Sequence, residues 1–341
     1  MRLPRIPAIA LAGALIALAL GLAACGEKSE DGGAEAQPLG LTLDFYPNPD
    51  HAGIYLAEKL GYFEEAGLDV SIQTPSDPAA PIKLLAAGQT DLAISYEPEV
   101  ALAREKGLDV VAIGALVNQP LTSMIWLRKS GVKGVADLKG KTVATAGIPY
   151  QDAFLATILG RAKLSTSDVK AVNVGFGLLP ALLSDKAEAM LGGFLNVEGV
   201  DLRQRGKDPV VTPVDQLGVP TYDELVLVAD RSSLEADPQK FRLFLAALER
   251  GTGAAVGQPN AATKAVLEAN DDLKPKLTEA EVKATLPLLG ARTPGQPYGY
   301  MDPAEWEAFG GWMRDNGLIE TLPAPAELLS NDYLPGDEIP E

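Results

Sequence analysis

Residues 39–72, LGLTLDFYPNPDHAGIYLAEKLGYFEEAGLDVSI, leave few folds open to this chain. Leu39, Leu41, Leu43 and Phe45 alternate with Gly40, Thr42 and Asp44, the period-two pattern of a strand. Pro47-Asn48-Pro49-Asp50 cannot continue it, because each proline fixes φ and lacks an N–H, so the chain turns. Asp50 is expected to N-cap a helix carrying Ile54, Ala57 and Leu60 on its apolar side and stopped by Gly61. A short helix at 62–66 ends at Gly67, and Leu68, Val70 and Ile72 resume the alternation. Strand, helix and strand in that order need a crossover, which makes the two strands parallel in one sheet.

In open parallel sheets, ligands sit just beyond the carboxyl ends of the strands. The turn after the first strand holds Asp44, Phe45, Tyr46, Asn48, Asp50 and His51, which are therefore candidates for a ligand wall. Further on, a short helix at 82–87 leads to a strand of small residues at 92–95, whose end delivers Tyr96, Glu97 and Glu99 to the same rim. A buried-type strand follows at 110–116.

The order then repeats, with strands at 125–127, 142–145 and 172–174 and a helix at 151–159. Residues 84–95 (LLAAGQTDLAIS) and 181–192 (ALLSDKAEAMLG) echo each other: a Leu-bearing helix, a polar turn with an acid (Asp91, Glu188), then a short strand. The strands run into Tyr96-Glu97 and into Phe194-Leu195-Asn196-Val197-Glu198. Two lobes facing each other would set these loops on opposite walls of one cleft. The strand at 225–229 is expected near the return crossing, which places Tyr222 at the rim.

From Pro238 the pattern is helical, with Phe241, Leu243, Phe244 and Leu248 as an apolar face. Asp302-Pro303-Ala304-Glu305 is a helix start, and Trp306, Phe309 and Met313 form a core face behind it. The expected architecture is α/β, with two lobes that are each a mostly parallel sheet flanked by helices and a ligand cleft between them. One lobe spans 38–119 plus about 230–341, the other about 120–229.

The first 24 residues carry Arg2 and Arg5 and then a nearly unbroken apolar run up to Leu22-Ala23-Ala24-Cys25. This reads as a lipoprotein signal peptide, cleaved before a lipidated Cys25. Residues 25–37 lack apolar periodicity and read as a flexible tether, so the domain is expected outside the cytoplasm, anchored to the cell membrane. Loss of the leader leaves 317 of 341 residues, enough for two ordinary domains, and takes the formal charge from −17 to −19. So acidic a chain argues against nucleic acid and polyanionic partners.

The run from Asp44 to Tyr55 (DFYPNPDHAGIY), then Gly61-Tyr62-Phe63 and Gly67-Leu68-Asp69-Val70, resembles the opening signature of one receptor family. These are the pyrimidine-precursor solute-binding proteins of thiamine-salvage ABC importers, within the sulfonate-, nitrate- and taurine-binding clan. Fungal hydroxymethylpyrimidine phosphate synthases share the signature and the fold. The resemblance implies a type II periplasmic-binding-protein-like fold, a small-molecule ligand, and an importer permease and ATPase as partners. The expected unit is a monomer with no cofactor, no metal and no catalytic residue.

His51 is the sole histidine and Cys25 the sole cysteine, so neither a His/Cys metal cluster nor a Cys–His nucleophile pair can be assembled in the domain. The pair Glu97 and Glu99 suits acid–base work in principle. The synthases are similar to this chain but use a Lys and a His just after the strand matching 92–95, and a cysteine-rich loop in the second half. Here Ser95 and Glu99 stand at the first positions, and residues 218–226 contain no cysteine, which weighs against the synthase reading.

Sulfonate or nitrate receptors should offer cations or helix N-termini to their anion. The candidate rim instead combines Phe45, Tyr46, Tyr96 and Tyr222 with Glu97, Glu198, Asn48 and Asn196, while Asp44 and His51 share the first turn. Aromatic faces stack on flat rings and carboxylates accept hydrogen bonds from ring and exocyclic amines. This favours a hydroxymethyl- or formylamino-pyrimidine, with riboflavin, a sulfonate or nitrate as alternatives.

Overall fold

A computed structural model describes residues 36–290 and 295–336; the leader, Cys25 and the tether up to residue 35 lie outside the described residues. The strands are β1 (Gln37–Thr42), β2 (Leu68–Gln73), β3 (Leu92–Ser95), β4 (Val110–Val117), β5 (Thr122–Leu127), β6 (Thr142–Thr145), β7 (Lys170–Asn173), β8 (Ala189–Phe194), β9 (Pro209–Pro213) and β10 (Leu225–Asp230). They form two mixed sheets with helices on their faces, ordered β2-β1-β3-β10-β4 and β7-β6-β8-β5-β9. In the first, β1 lies parallel to β2 and β3, while β10 runs antiparallel between β3 and β4. In the second, β6 lies parallel to β7 and β8, while β5 runs antiparallel between β8 and β9.

The 39–72 unit folds as its pattern requires, with Leu39 opposite Val70 and Leu41 opposite Ile72. Two details differ. The first strand ends at Thr42, and only the Leu43 N–H reaches one more partner, the Gln73 carbonyl at 2.8 Å. Phe45 is therefore a turn residue, free of the strand's alternation. The helix cap is Asn48, not Asp50: Asn48 Oδ1 accepts the Asp50 N–H at 2.8 Å. Pro49 takes the first helical position, where its missing N–H costs nothing, and this moves the cap one residue before it.

The internal echo is topological. Helix Pro81–Ala86 with β3, and helix Leu178–Leu183 with β8, occupy equivalent places in the two sheet orders. The acids of the echo make the same reciprocal pair. Asp91 N–H donates to the Gly40 carbonyl at 3.0 Å and Asp91 Oδ2 accepts the Gly40 N–H at 2.7 Å. Glu188 N–H donates to the Thr142 carbonyl at 3.0 Å and Glu188 Oε2 accepts the Thr142 N–H at 2.8 Å. Each acid pins the central strand it precedes, β3 or β8, beside its parallel neighbour, β1 or β6.

The charged segment at 203–208 leads into a strand that the sequence pattern conceals. β9 holds only Val210, Val211 and Thr212 between prolines, and it survives because it is an edge strand. The strand at 225–229 belongs to the first sheet, packed between β3 and β4, and does not close the second. The chain thus passes between the sheets at 118–121 and again at 218–224.

Glu224 fastens these two passages together. Its Oε2 accepts the N–H groups of Leu121 and Thr122 and the Tyr222 hydroxyl, and its Oε1 accepts the Thr122 hydroxyl. The C-terminal helices cover the first sheet and reach the second. Helix Pro238–Gly257 buries Phe241, Phe244, Leu245 and Leu248, a 3.6-period stripe that leaves Leu243 at its margin. It lies close on helix Ala52–Lys59 because Gly251 faces the Gly53 carbonyl, where a Cβ would collide. Asp302 caps helix Pro303–Asp315 through the Ala304 N–H at 2.9 Å, and Trp306, Phe309 and Met313 are buried. Among the described residues no helix is long and apolar enough to cross a membrane.

Candidate ligand-binding site

The turns that leave the carboxyl ends of β1 and β3 meet those that leave β6 and β8, and they line a narrow cavity of about 20 Å³. That is room for about one water, so a small flat ligand enters only as the two sides part. From the first sheet come Asp44, Phe45, Tyr46, Asn48 and Tyr96; from the second come Ile148, Tyr150, Gln151, Phe194 and Glu198, with Thr122 at the crossing. Lining it are two carboxylates and, among these residues, no Lys, Arg or His.

The wall on the first side is fixed from behind. Asp44 Oδ2 accepts the Tyr96 hydroxyl at 2.9 Å, and its Oδ1 lies 2.9 Å from His51 Nε2. The Asn48 N–H donates to His51 Nδ1 at 3.3 Å, so the imidazole proton belongs on Nε2, where it donates to Asp44. Asn48 Nδ2 donates to the Tyr46 carbonyl. With the backbone held, the rings of Phe45 and Tyr46 stand 4.5 Å apart and half-buried, and Phe176 from the second half meets Phe45 edge-on at 4.5 Å. Burial and the Asp44 charge push the Tyr96 hydroxyl well above its ordinary value, so it stays a donor.

On the second side Glu198 opens helix Glu198–Gln204, and its Oε2 accepts the Phe194 N–H at 2.7 Å. Burial pushes this carboxyl up to about 7, although the backbone N–H groups of Phe194 and of Glu198 itself favour its charged form. Gln151 Oε1 accepts the Ala146 N–H at 2.9 Å, which turns its amide Nε2 toward Gly192 on the cavity wall. Gly192 has φ +109°, and a side chain there would meet that amide. Tyr96 and Tyr150 complete the contact between halves, with ring centres 5.6 Å apart.

An open groove of about 660 Å³ lies outside, beyond Tyr46 and Glu198, lined also by Phe176, Asp201, Arg205 and Glu281. Glu281 is pushed up to about 9, foremost by burial and then by the neighbouring charges of Glu198 and Asp201.

Of the residues singled out in sequence, Asp44, Phe45, Tyr46, Asn48, Tyr96 and Glu198 come together on the cavity. Four others sit off its wall. His51 lies behind Asp44, fully buried. Glu97 turns to the crossing, where its Oε2 accepts the Asp223 N–H at 2.7 Å. Tyr222 donates to Glu224 and packs its ring 5.1 Å from Phe309, beneath the crossing. Asn196 bonds Asp50 and Thr285. Tyr150 and Gln151 were missed as candidates, although their turn follows β6 as the 43–48 turn follows β1.

An α/β fold of two mixed sheets with an enclosed cavity at their facing strand ends is that of the periplasmic-binding-protein class. The profile described as NMT1/THI5 like matches residues 48–262, and the chain belongs to that family. It is 38% identical to the putative thiamine biosynthesis protein of Haemophilus influenzae over 83% of this chain and 88% of that one. It is 34% identical to the formylaminopyrimidine-binding protein of Halalkalibacterium halodurans over 90% of this chain and 93% of that one. Among solved structures, the alkanesulfonate-binding protein SsuA of Xanthomonas axonopodis pv. citri bound to MOPS superposes with TM-score 0.68 at 18% identity, covering 87% of this chain and 99% of that one.

Proposed function

We propose that this protein is the extracytoplasmic receptor of an ABC importer, and that it captures an aminopyrimidine precursor of thiamine without transforming it. The cavity carries this reading. Its aromatic rings suit stacking on a flat heterocycle, Asp44 and Glu198 suit an edge rich in N–H donors, and it lacks the cationic side chains an alkanesulfonate needs. The formylaminopyrimidine-binding relative supports the same ligand class.

The two lobes are those built on the two sheets, closing through the passages at 118–121 and 218–224. Calorimetry with hydroxymethyl- and formylamino-pyrimidines, riboflavin and an alkanesulfonate tests the reading. Saturable binding is expected for a pyrimidine and none for the sulfonate. Tight sulfonate or riboflavin binding with no pyrimidine binding overturns it.

The permease and ATPase of the importer are the partners, met by a monomer that is tethered to the membrane through acylated Cys25. Cys25→Ala should leave the protein unprocessed or released from the membrane. Undiminished incorporation of labelled fatty acid into that variant would refute the anchor.

A further inference from the structure

Asp50, in the turn after β1, and Asn196, in the loop after β8, meet across the contact between the two halves. Asn196 Nδ2 donates to Asp50 Oδ1 at 2.7 Å and to Thr285 Oγ1 at 2.8 Å. Both residues are buried, Asp50 2% exposed and Asn196 fully enclosed. Yet among the described residues Asp50 Oδ2 and Asn196 Oδ1 have no hydrogen-bond partner. Two orphaned oxygens on one bonded pair are not independent accidents. A carboxylate and an amide carbonyl only accept, so with Asp50 ionised neither oxygen can serve the other. One proton on Oδ2 removes both defects together.

We propose that Asp50 is a neutral acid in this arrangement, its Oδ2–H donating to Asn196 Oδ1, so that a two-bond acid–amide clasp locks the two halves together. The proton comes from solvent and no other bond changes. The surroundings agree in direction. Burial foremost, then the charges of Asp44, Glu198 and Glu224, push the Asp50 carboxyl well above its ordinary value, against the Asn196 hydrogen bond alone. Glu281 also faces it from helix Pro275–Thr285, and His51 turns its imidazole to Asp44. Helix Pro259–Ala269 points Lys264 and Glu268 to solvent, and helix Ala52–Lys59 keeps its charges, Glu58 and Lys59, in its last turn. No cation therefore meets Asp50 from these elements to hold it ionised.

The clasp makes closure proton-linked. Asp50 protonates more readily in the clasp than when free. The clasp is therefore fully favourable below the ordinary carboxylate range and loses strength as pH rises toward the elevated value. Asp50→Asn separates this from a merely structural contact. An asparagine at position 50 offers a donor N–H and an acceptor oxygen in the same places and does not titrate.

The test uses the purified full-length protein without ligand, so its outcome is independent of which solute is captured. At neutral pH the infrared spectrum of the wild type should contain a protonated-carboxyl C=O stretch that Asp50→Asn lacks. Thermal melts should show Asp50→Asn matching the wild type at acid pH and exceeding it increasingly as pH rises. Asn196→Ala should lower Tm by roughly 2–4 °C. An unchanged carboxyl band in Asp50→Asn, or a variant that melts early while keeping the wild-type pH slope, would overturn the clasp.

Discussion

Replacing Glu198 by Gln should weaken capture of an aminopyrimidine roughly tenfold to a hundredfold. The carboxylate is buried on the cavity wall with one oxygen engaged by the Phe194 N–H, which fixes its rotamer and leaves the other for the ligand. A hydrogen bond to a charged group contributes about 1.5–3 kcal/mol, and each 1.4 kcal/mol is a factor of ten. Gln keeps the shape but loses the charge, and it presents an amide donor where a second acceptor stood.

The pH dependence sharpens the expectation. Burial pushes the Glu198 carboxyl up to about 7, so at neutral pH its acid and anion coexist. A ligand edge that donates selects the anion, so the Glu198 contribution grows as pH climbs through about 7 and levels off above it. The ratio of wild-type to variant affinity should therefore widen between pH 6 and 8. Taking that ratio cancels other titrating groups, Asp50 among them. Titration calorimetry at several pH values measures it, and equal affinities for wild type and Glu198→Gln across the range would remove Glu198 from the ligand contact.

What the sequence discloses of this arrangement follows from how local each determinant is. The turn after β1 is legible because prolines interrupt a period-two pattern within a few residues, and chain reversal needs nothing else. The echo between 84–95 and 181–192 locates β3 and β8 because helix, acid and strand recur at one spacing. Carried one strand further, the same symmetry matches β1 with β6 and marks the Ala146–Gln151 turn as the counterpart of the Leu43–Asn48 turn. That step requires the sheet order, which periodicity does not contain.

Asn196 and Glu198 show the limit most plainly. They are two residues apart in one loop, and sequence gives both the same claim on the ligand. Glu198 sits at a helix start facing the cavity, while Asn196 is drawn the other way by Asp50 and Thr285, residues 146 and 89 positions distant. Glu97 and Tyr222 are turned from the cavity by partners likewise remote from them or set by the crossing. Aromatic and acidic types mark the neighbourhood, and long-range hydrogen bonds decide which side chains face inward.

The largest loss of stability is expected at the crossing, from Glu224→Ala. Glu224 is fully buried and accepts four hydrogen bonds between 2.7 and 2.8 Å, two of them from the backbone N–H groups of Leu121 and Thr122. Those amides sit where the chain enters β5 and are held by a side chain from the returning passage. A buried donor left unanswered costs about 1–3 kcal/mol, whereas the hydroxyls of Thr122 and Tyr222 can rotate to other partners. The sum for the two amides is about 2–6 kcal/mol, a large fraction of ordinary domain stability.

Burial nonetheless pushes the Glu224 carboxyl up to about 6 from an ordinary 4.5, so desolvation outweighs those four donors. Because the folded value is the higher one, its contribution is largest at acid pH and declines as pH rises from about 4.5 to about 6. The decline is at most about 2 kcal/mol. Glu224→Ala should therefore destabilise at every pH and also flatten this part of the pH–stability curve. Urea unfolding at pH 4.5 and 7 reads both effects. A loss below about 1 kcal/mol at either pH would show that the two passages are held together by the packing of Tyr222 against Phe309 and Phe154 rather than by the carboxyl.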